Sequence, residues 1–118
     1  FSTPLSHKTE AGADFFLMPS RFEPCGLNQL YSMKYGTLPI VNMTGGLKDT
    51  VVDLENKEGT GFVLSPLNPE NIVKAAERAK EFYKDKESLT EARKRAMKVD
   101  SSWKKSAEEY MEVYSSLL

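Results

Sequence analysis

Glu23 is the lone carboxylate in FFLMPSRFEPCGLNQLYSMKYGTLPIVNMTGG, residues 15–46 of this 118-residue chain. A carboxylate in a loop after a buried strand accepts hydrogen bonds from ligand hydroxyls. It also stabilises positive charge that builds at a reacting carbon. Arg21, two residues earlier, offers a cation to a phosphate or to Glu23 itself. Cys25, Gly26 and Leu27 follow Pro24 and open a segment of helical spacing, so their chemistry would run through backbone amides. The first turn of a helix carries unpaired N–H groups and a partial positive charge, which suit an anion. Gly26 has no side chain to hold a ligand off the main chain. Asn28 and Ser20 are further neighbours for a phosphate, and Thr44, Gly45 and Gly46 bring a hydroxyl and flexible backbone to the end of a second apolar run. Recognition of a phosphorylated ligand rich in hydroxyls is the chemistry these residues suggest.

The elements that must position them follow from the hydrophobic pattern. Phe15 to Met18 is an apolar run stopped by Pro19, and Leu38 to Val41 is a second; both read as buried strands. Between them Leu27, Leu30, Tyr31 and Met33 recur at helical spacing from Gly26 to a stop at Gly36. Strand, helix and strand place the polar loops at the carboxyl ends of the strands, where open α/β sheets bind ligands. Pro4 to Gly12 reads as a short leading helix, and Gly46 to Asp53 as another, with Leu47, Val51 and Leu54 on one side. Gly61 to Leu64 is a third strand after the polar loop 55–60. Asn68-Pro69-Glu70 is a strong helix start, with Ile72, Ala75, Ala76, Ala79 and Phe82 facing inward. Ser88 with Glu91 predicts a capping box for a helix reaching about Val99. Ser102 precedes a last helix striped with Trp103, Ala107, Tyr110, Met111, Tyr114 and Leu117. The expectation is one α/β domain over residues 1–118, a parallel sheet with flanking helices.

Residue types alone leave plainer readings open. Glu23 would serve as a surface acid at a helix start, Arg21 as its salt-bridge partner, and Thr44-Gly45-Gly46 as an ordinary strand-to-helix turn. Cys25 would be a small buried thiol without chemistry of its own, and Tyr31 a core residue. A lone histidine, His7, and a lone cysteine make neither a metal site nor a disulfide, and fit a reducing compartment. A net charge of −1 gives no electrostatic reason to invoke nucleic acid or an anionic membrane. The apolar runs are too short to cross a bilayer, and FSTPLSHKTE lacks the basic head and apolar core of a secretory leader. The lysines and arginines of KDKESLTEARKRAMK alternate with acids as a solvated helix face does.

PSRFEPCGLNQLYSMKYGTLPIV followed by TGGLKDTV closely resembles the nucleotide-sugar half of bacterial glycogen synthases and plant starch synthases. The similarity is dense from Pro4 to Val52 and looser onward to the Ser102-Trp103 helix. The resemblance implies a Rossmann-like domain, the carboxy-terminal half of a two-domain GT-B glycosyltransferase. That enzyme moves glucose, with retention, from ADP-glucose or UDP-glucose to an α-1,4-glucan. It implies that Glu23 contacts hydroxyls of the donor glucose as the catalytic residue. Arg21, Cys25, Gly26, Leu27, Asn28, Thr44, Gly45 and Gly46 would bind the donor, with no metal and no separate cofactor. Family members are several times longer, so the chain is expected to be a fragment, inactive alone. Its glucan acceptor would be held by an amino-terminal domain toward which the helix at about 102–118 packs. The family also places an aromatic near Phe1 against the adenine ring. The wider superfamily carries a second Glu where this chain has Tyr31, and glycogen and starch synthases share that departure. A cytoplasmic location follows, or the plastid stroma for a plant source. Two other readings share these residues: a different retaining GT-B hexosyltransferase, and a non-catalytic nucleotide- or glucan-binding module.

Overall fold

Three short strands stand side by side in the order β1 (Phe15–Met18), β2 (Leu38–Asn42) and β3 (Phe62–Leu64), all parallel, in a computed structural model that describes residues 2–117. Phe1, and with it the expected aromatic contact to a base, lies outside the described residues, as does Leu118. Every residue of β2 is buried, as a strand flanked on both edges and covered on both faces must be. Its proline fits for a reason of register. The Leu38 N–H donates to Asp14 O on the β1 side, so Pro39 points the other way, and β3 pairs with β2 only from Ile40 onward. The missing N–H therefore falls where the third strand has not begun.

Side chains alternate across the sheet. On one face Leu38, Ile40, Phe62 and Leu64 are buried; on the other Val41 packs with Leu47 and Val51, flanked by Met18 and Val63. The first face is covered by α4 (Pro69–Phe82) through Ala75 and Ala79 and by α5 (Lys86–Lys98) through Leu89, Ala92 and Ala96. Phe62 meets Phe15 and Phe82 edge-to-face, with centroids 5.8 Å apart in each pair. The parallel α/β sheet with flanking helices expected of half a GT-B transferase is thus the architecture found.

Several boundaries differ from the sequence expectation. α1 (Thr3–Gly12) and the Asn68 cap of α4 are where the pattern places them, Asn68 Oδ1 accepting the Asn71 N–H at 2.8 Å. Ala76, however, is exposed, because the face buried in α4 is centred on Ala75 and Ala79. α5 is capped one turn early: Asp85 accepts the Ser88 N–H at 3.0 Å and its hydroxyl at 2.6 Å, while Glu91 pairs with Lys94 at 2.8 Å. α3 (Gly45–Thr50) is shorter than expected, and Val51 leaves it in extended conformation. Asp53 instead bridges Gly61 beside the sheet. Its carboxylate accepts from the Val63 N–H at 2.7 Å and from Arg78 at 2.7 Å. Burial opposes ionisation of Asp53, yet the Arg78 guanidinium and the N–H groups of Glu55 and Val63 outweigh it and hold the carboxyl below its usual range.

α6 (Trp103–Ser116) starts at the expected Ser102 cap, whose Oγ accepts from the Lys105 N–H at 3.3 Å, but none of its residues is buried. Trp103 is 91% exposed. Among the described residues no helix is long and apolar enough to cross a membrane.

Candidate functional site

The carboxyl ends of β1 and β2 lead into two loops, and the structure brings those loops into backbone contact. Residues 19–27 follow β1; Met43 and Thr44 follow β2 and enter α3. The Gly46 N–H donates to Glu23 O at 3.1 Å. A Cβ on Gly45 would overlap that same carbonyl, and one on Gly46 would overlap the carbonyl of Cys25. Gly45 also sits at φ +43, a left-handed conformation that side chains resist. The glycine pair is therefore more than a turn, since no other residue lets α3 start against the Glu23–Cys25 backbone.

Glu23 is partly buried in this junction, and one of its carboxylate oxygens accepts from Ser20 Oγ at 3.2 Å. No other side-chain partner of Glu23 occurs among the described residues. Ser20 is held in turn: its carbonyl accepts from Asn42 Nδ2 at 2.9 Å, tying the first loop to the last residue of β2. Arg21 is exposed and forms no ion pair among the described residues, so the Arg21–Glu23 salt bridge left open by the sequence is absent there. Ser20 is the residue that orients Glu23.

The expected helix start is corrected. Gly26 has φ +75, the preceding cap position is Leu27, and α2 runs Asn28–Tyr35, with Tyr31 N–H to Leu27 O as its first bond. The amides without an intrahelical acceptor are thus those of Leu27, Asn28, Gln29 and Leu30 rather than of Cys25 and Gly26. Gly26 is buried and Asn28 is exposed at the helix mouth. Cys25 is exposed, not a buried thiol, because the left-handed turn at Gly26 carries the chain outward before the helix begins.

The buried stripe of α2 is Gln29, Ser32 and Met33, while Leu27 and Tyr31 are 55% and 47% exposed. Tyr31 is thus not core. It lines a groove of about 430 Å³ with Leu27, Leu30, Lys34, Val99 and Trp103, between α2 and the start of α6, to which neither Glu23 nor residues 44–46 contribute. His7 lies on the surface as expected, with Nδ1 3.0 Å from Tyr35 Oη. No cluster of three or more His, Cys, Asp or Glu suited to a metal occurs among the described residues.

Sequence reasoning missed Asn42, Gln29 and Thr50. Asn42 was visible as a polar residue continuing an apolar strand, and Gln29 as a polar residue one turn before Met33 on the same helical face. Nothing in the sequence distinguished Thr50 from a surface threonine.

Residues 6–99 match the family model of the glycosyl transferases group 1. Over its full length the chain is 48% identical to part of a glycogen synthase from Rhizobium etli, covering 26% of that protein. It is 52% identical, over 97% of its length, to 24% of a glycogen synthase from Fervidobacterium nodosum. The chain spans about a quarter of the length of these curated relatives. Its structure is similar to the catalytic domain of starch synthase IV from Arabidopsis thaliana, solved bound to ADP and acarbose, with a TM-score of 0.88 and 36% identity. That likeness covers 98% of this chain and 24% of the other.

Proposed function

The chain belongs to the group 1 glycosyl transferases, and from that premise we propose that it is the donor-binding part of a glycogen or starch synthase. The whole enzyme transfers glucose with retention from ADP-glucose or UDP-glucose to an α-1,4-glucan. The observation that carries the reading is the junction of the two loops. Glu23 stands over an open strand end with Ser20 on one oxygen, and Gly45 and Gly46 give main-chain atoms to the same edge. The names of the relatives, and the ADP and acarbose held by the starch synthase domain, agree with it.

In this proposal Glu23 accepts hydrogen bonds from hydroxyls of the donor glucose, and its charge opposes the positive charge that builds at the anomeric carbon. The amides at the start of α2, with Asn28 and Arg21 beside them, face the departing diphosphate, which the helix N-terminus favours. No metal is required when donors of this kind and basic residues elsewhere in the parent protein neutralise that charge. The apolar stripe of α6 packs toward an amino-terminal domain that holds the glucan. The enzyme works in the cytoplasm, or in the plastid stroma of a plant.

The test is Glu23→Ala in the parent-length protein. Turnover on nucleotide-glucose and glycogen should fall by about 10²–10³-fold, the cost of removing one well-placed electrostatic contact. The melting temperature should hardly move, since among the described residues the side chain makes one hydrogen bond, to Ser20. Retained activity, or a melting temperature that collapses with it, contradicts the role.

A further inference from the structure

Gln29 is fully buried, yet it is an amide on a face where Met33 shows that an apolar side chain of similar volume fits. Its Nε2 lies 3.2 Å from Cys25 O, 3.0 Å from Gly26 O and 3.1 Å from Thr50 Oγ1. Two carbonyls can only accept, so the nitrogen of the amide must face them. Thr50 spends its single hydroxyl proton on Gly46 O at 2.6 Å, and so it accepts from Gln29. The Gly46 N–H then donates to Glu23 O at 3.1 Å, which closes a ring through both loops. Gln29 Oε1 meanwhile is buried with no partner among the described residues, against the Cα face of Gly26, where a Cβ would lie 2.5 Å from it.

An orphaned buried oxygen is a cost that Met or Leu at this position would not carry. What the amide offers in return is a donor that reaches the first loop and, through Thr50, the second. We propose that Gln29 is a positioning residue for the donor site, clamping the Glu23–Gly26 loop to the Gly45–Gly46 loop with Thr50 as its relay. The proposal rests on the donor-site reading above for its catalytic consequence. The clamp itself is a property of the fold. Gln29 touches no ligand in this scheme; it acts by keeping the backbone of Glu23 and Gly46 in register.

The experiment uses the parent-length protein with Gln29→Met, Thr50→Val and Thr50→Ser, the first two also combined. Gln29→Met keeps the volume and removes the donor. It should lower kcat/KM for the nucleotide sugar by about 10- to 100-fold, the range of a lost hydrogen bond plus a misplaced contact, with KM for glucan unchanged. Thr50→Val should act in the same direction, Thr50→Ser should restore the wild-type constants, and the double variant should be little worse than Gln29→Met, since both cut one linkage. In the same samples, amide hydrogen exchange at Gly46 should speed up in Gln29→Met and Thr50→Val and return to normal in Thr50→Ser. Unchanged Gly46 exchange overturns the clamp. So does a drop in melting temperature with the donor constants of the folded enzyme intact. If Gln29→Met does not fold, the two Thr50 variants decide alone. If the wild-type protein transfers no glucose, the donor reading fails, and Gly46 exchange still decides the clamp.

Discussion

Gly45 and Gly46 show how far a site can depend on the absence of side chains. Both stand where a Cβ would strike main-chain oxygen, at Glu23 and Cys25 respectively, and a carbonyl in a packed loop cannot rotate away as a lysine tip would. Gly45 carries the added strain of a positive φ. Gly45→Ala should therefore push the two loops apart rather than merely stiffen one. The expected loss of stability is about 2–4 kcal/mol, combining an unfavourable φ with overpacking. Urea unfolding of the 118-residue chain measures it. In the parent protein the same variant should raise KM for the nucleotide sugar before it affects KM for glucan. Equal stability of Gly45→Ala and wild type would show that the loops are not held at contact distance.

Among the elements, β3 has the least structure of its own. It is three residues long and lies at a sheet edge, and beside the apolar packing of Phe62 and Leu64 on Ala75, Ala79 and Phe82 one carboxylate ties it to α4. Asp53 takes the Val63 N–H from β3 and both terminal nitrogens of Arg78 from α4, at 2.7 Å and 3.3 Å, and Arg78 also lies 5.5 Å from the Phe62 ring centroid. Removing the charge leaves a partly buried guanidinium without its main partner. Asp53→Asn should cost about 1–3 kcal/mol at pH 7. The folded state lowers the Asp53 pKa from 3.8, so it favours the ionised form. That stability is present above the unfolded pKa and is lost as pH falls through the still lower folded pKa. The gap between wild type and Asp53→Asn should stay level from pH 7 down to about pH 5, and then shrink below about pH 4. Unfolding curves at pH 7, 5 and 3 give the answer; a gap that widens in acid would mean the carboxyl is not held ionised.

For the whole molecule the telling feature is α6, whose Trp103, Tyr110, Met111 and Tyr114, with Leu117 just past its end, are all exposed, from 58% to 91%. This exposed apolar stripe is the surface that the proposed packing against an amino-terminal domain would cover. The 118-residue chain assayed alone should transfer no glucose to glycogen, because holding donor and acceptor together accounts for about 7–11 kcal/mol of barrier lowering. A titration with ADP-glucose should shift amide resonances of residues 22–28 and 43–47 without saturating at micromolar ligand. Transfer by the chain alone, or tight binding centred elsewhere, would contradict the proposed division of labour.

Local chemistry was enough, from sequence alone, to place the strands at 15–18 and 38–41, the caps at Asn68 and Ser102, and the two polar loops at one edge of the sheet. Apolar runs bounded by Pro and Gly, and capping side chains beside helical spacing, act over a few residues and need no knowledge of the rest of the chain. Local pattern misled where two segments compete for one surface. Leu27 and Tyr31 have the apolarity of a core stripe, but the left-handed turn at Gly26 and the contacts of Gln29 rotate Gln29, Ser32 and Met33 inward instead. Ser88 has the spacing of a cap, but Asp85 lies one turn earlier and takes both its N–H and its hydroxyl. Only the tertiary structure decided that Gly45 and Gly46 lie against Glu23 and Cys25, some twenty residues away, and that Gln29 and Thr50 join them. Such contacts depend on where the chain returns after a strand and a helix, which is a global property of the fold and leaves no mark in the spacing of either loop.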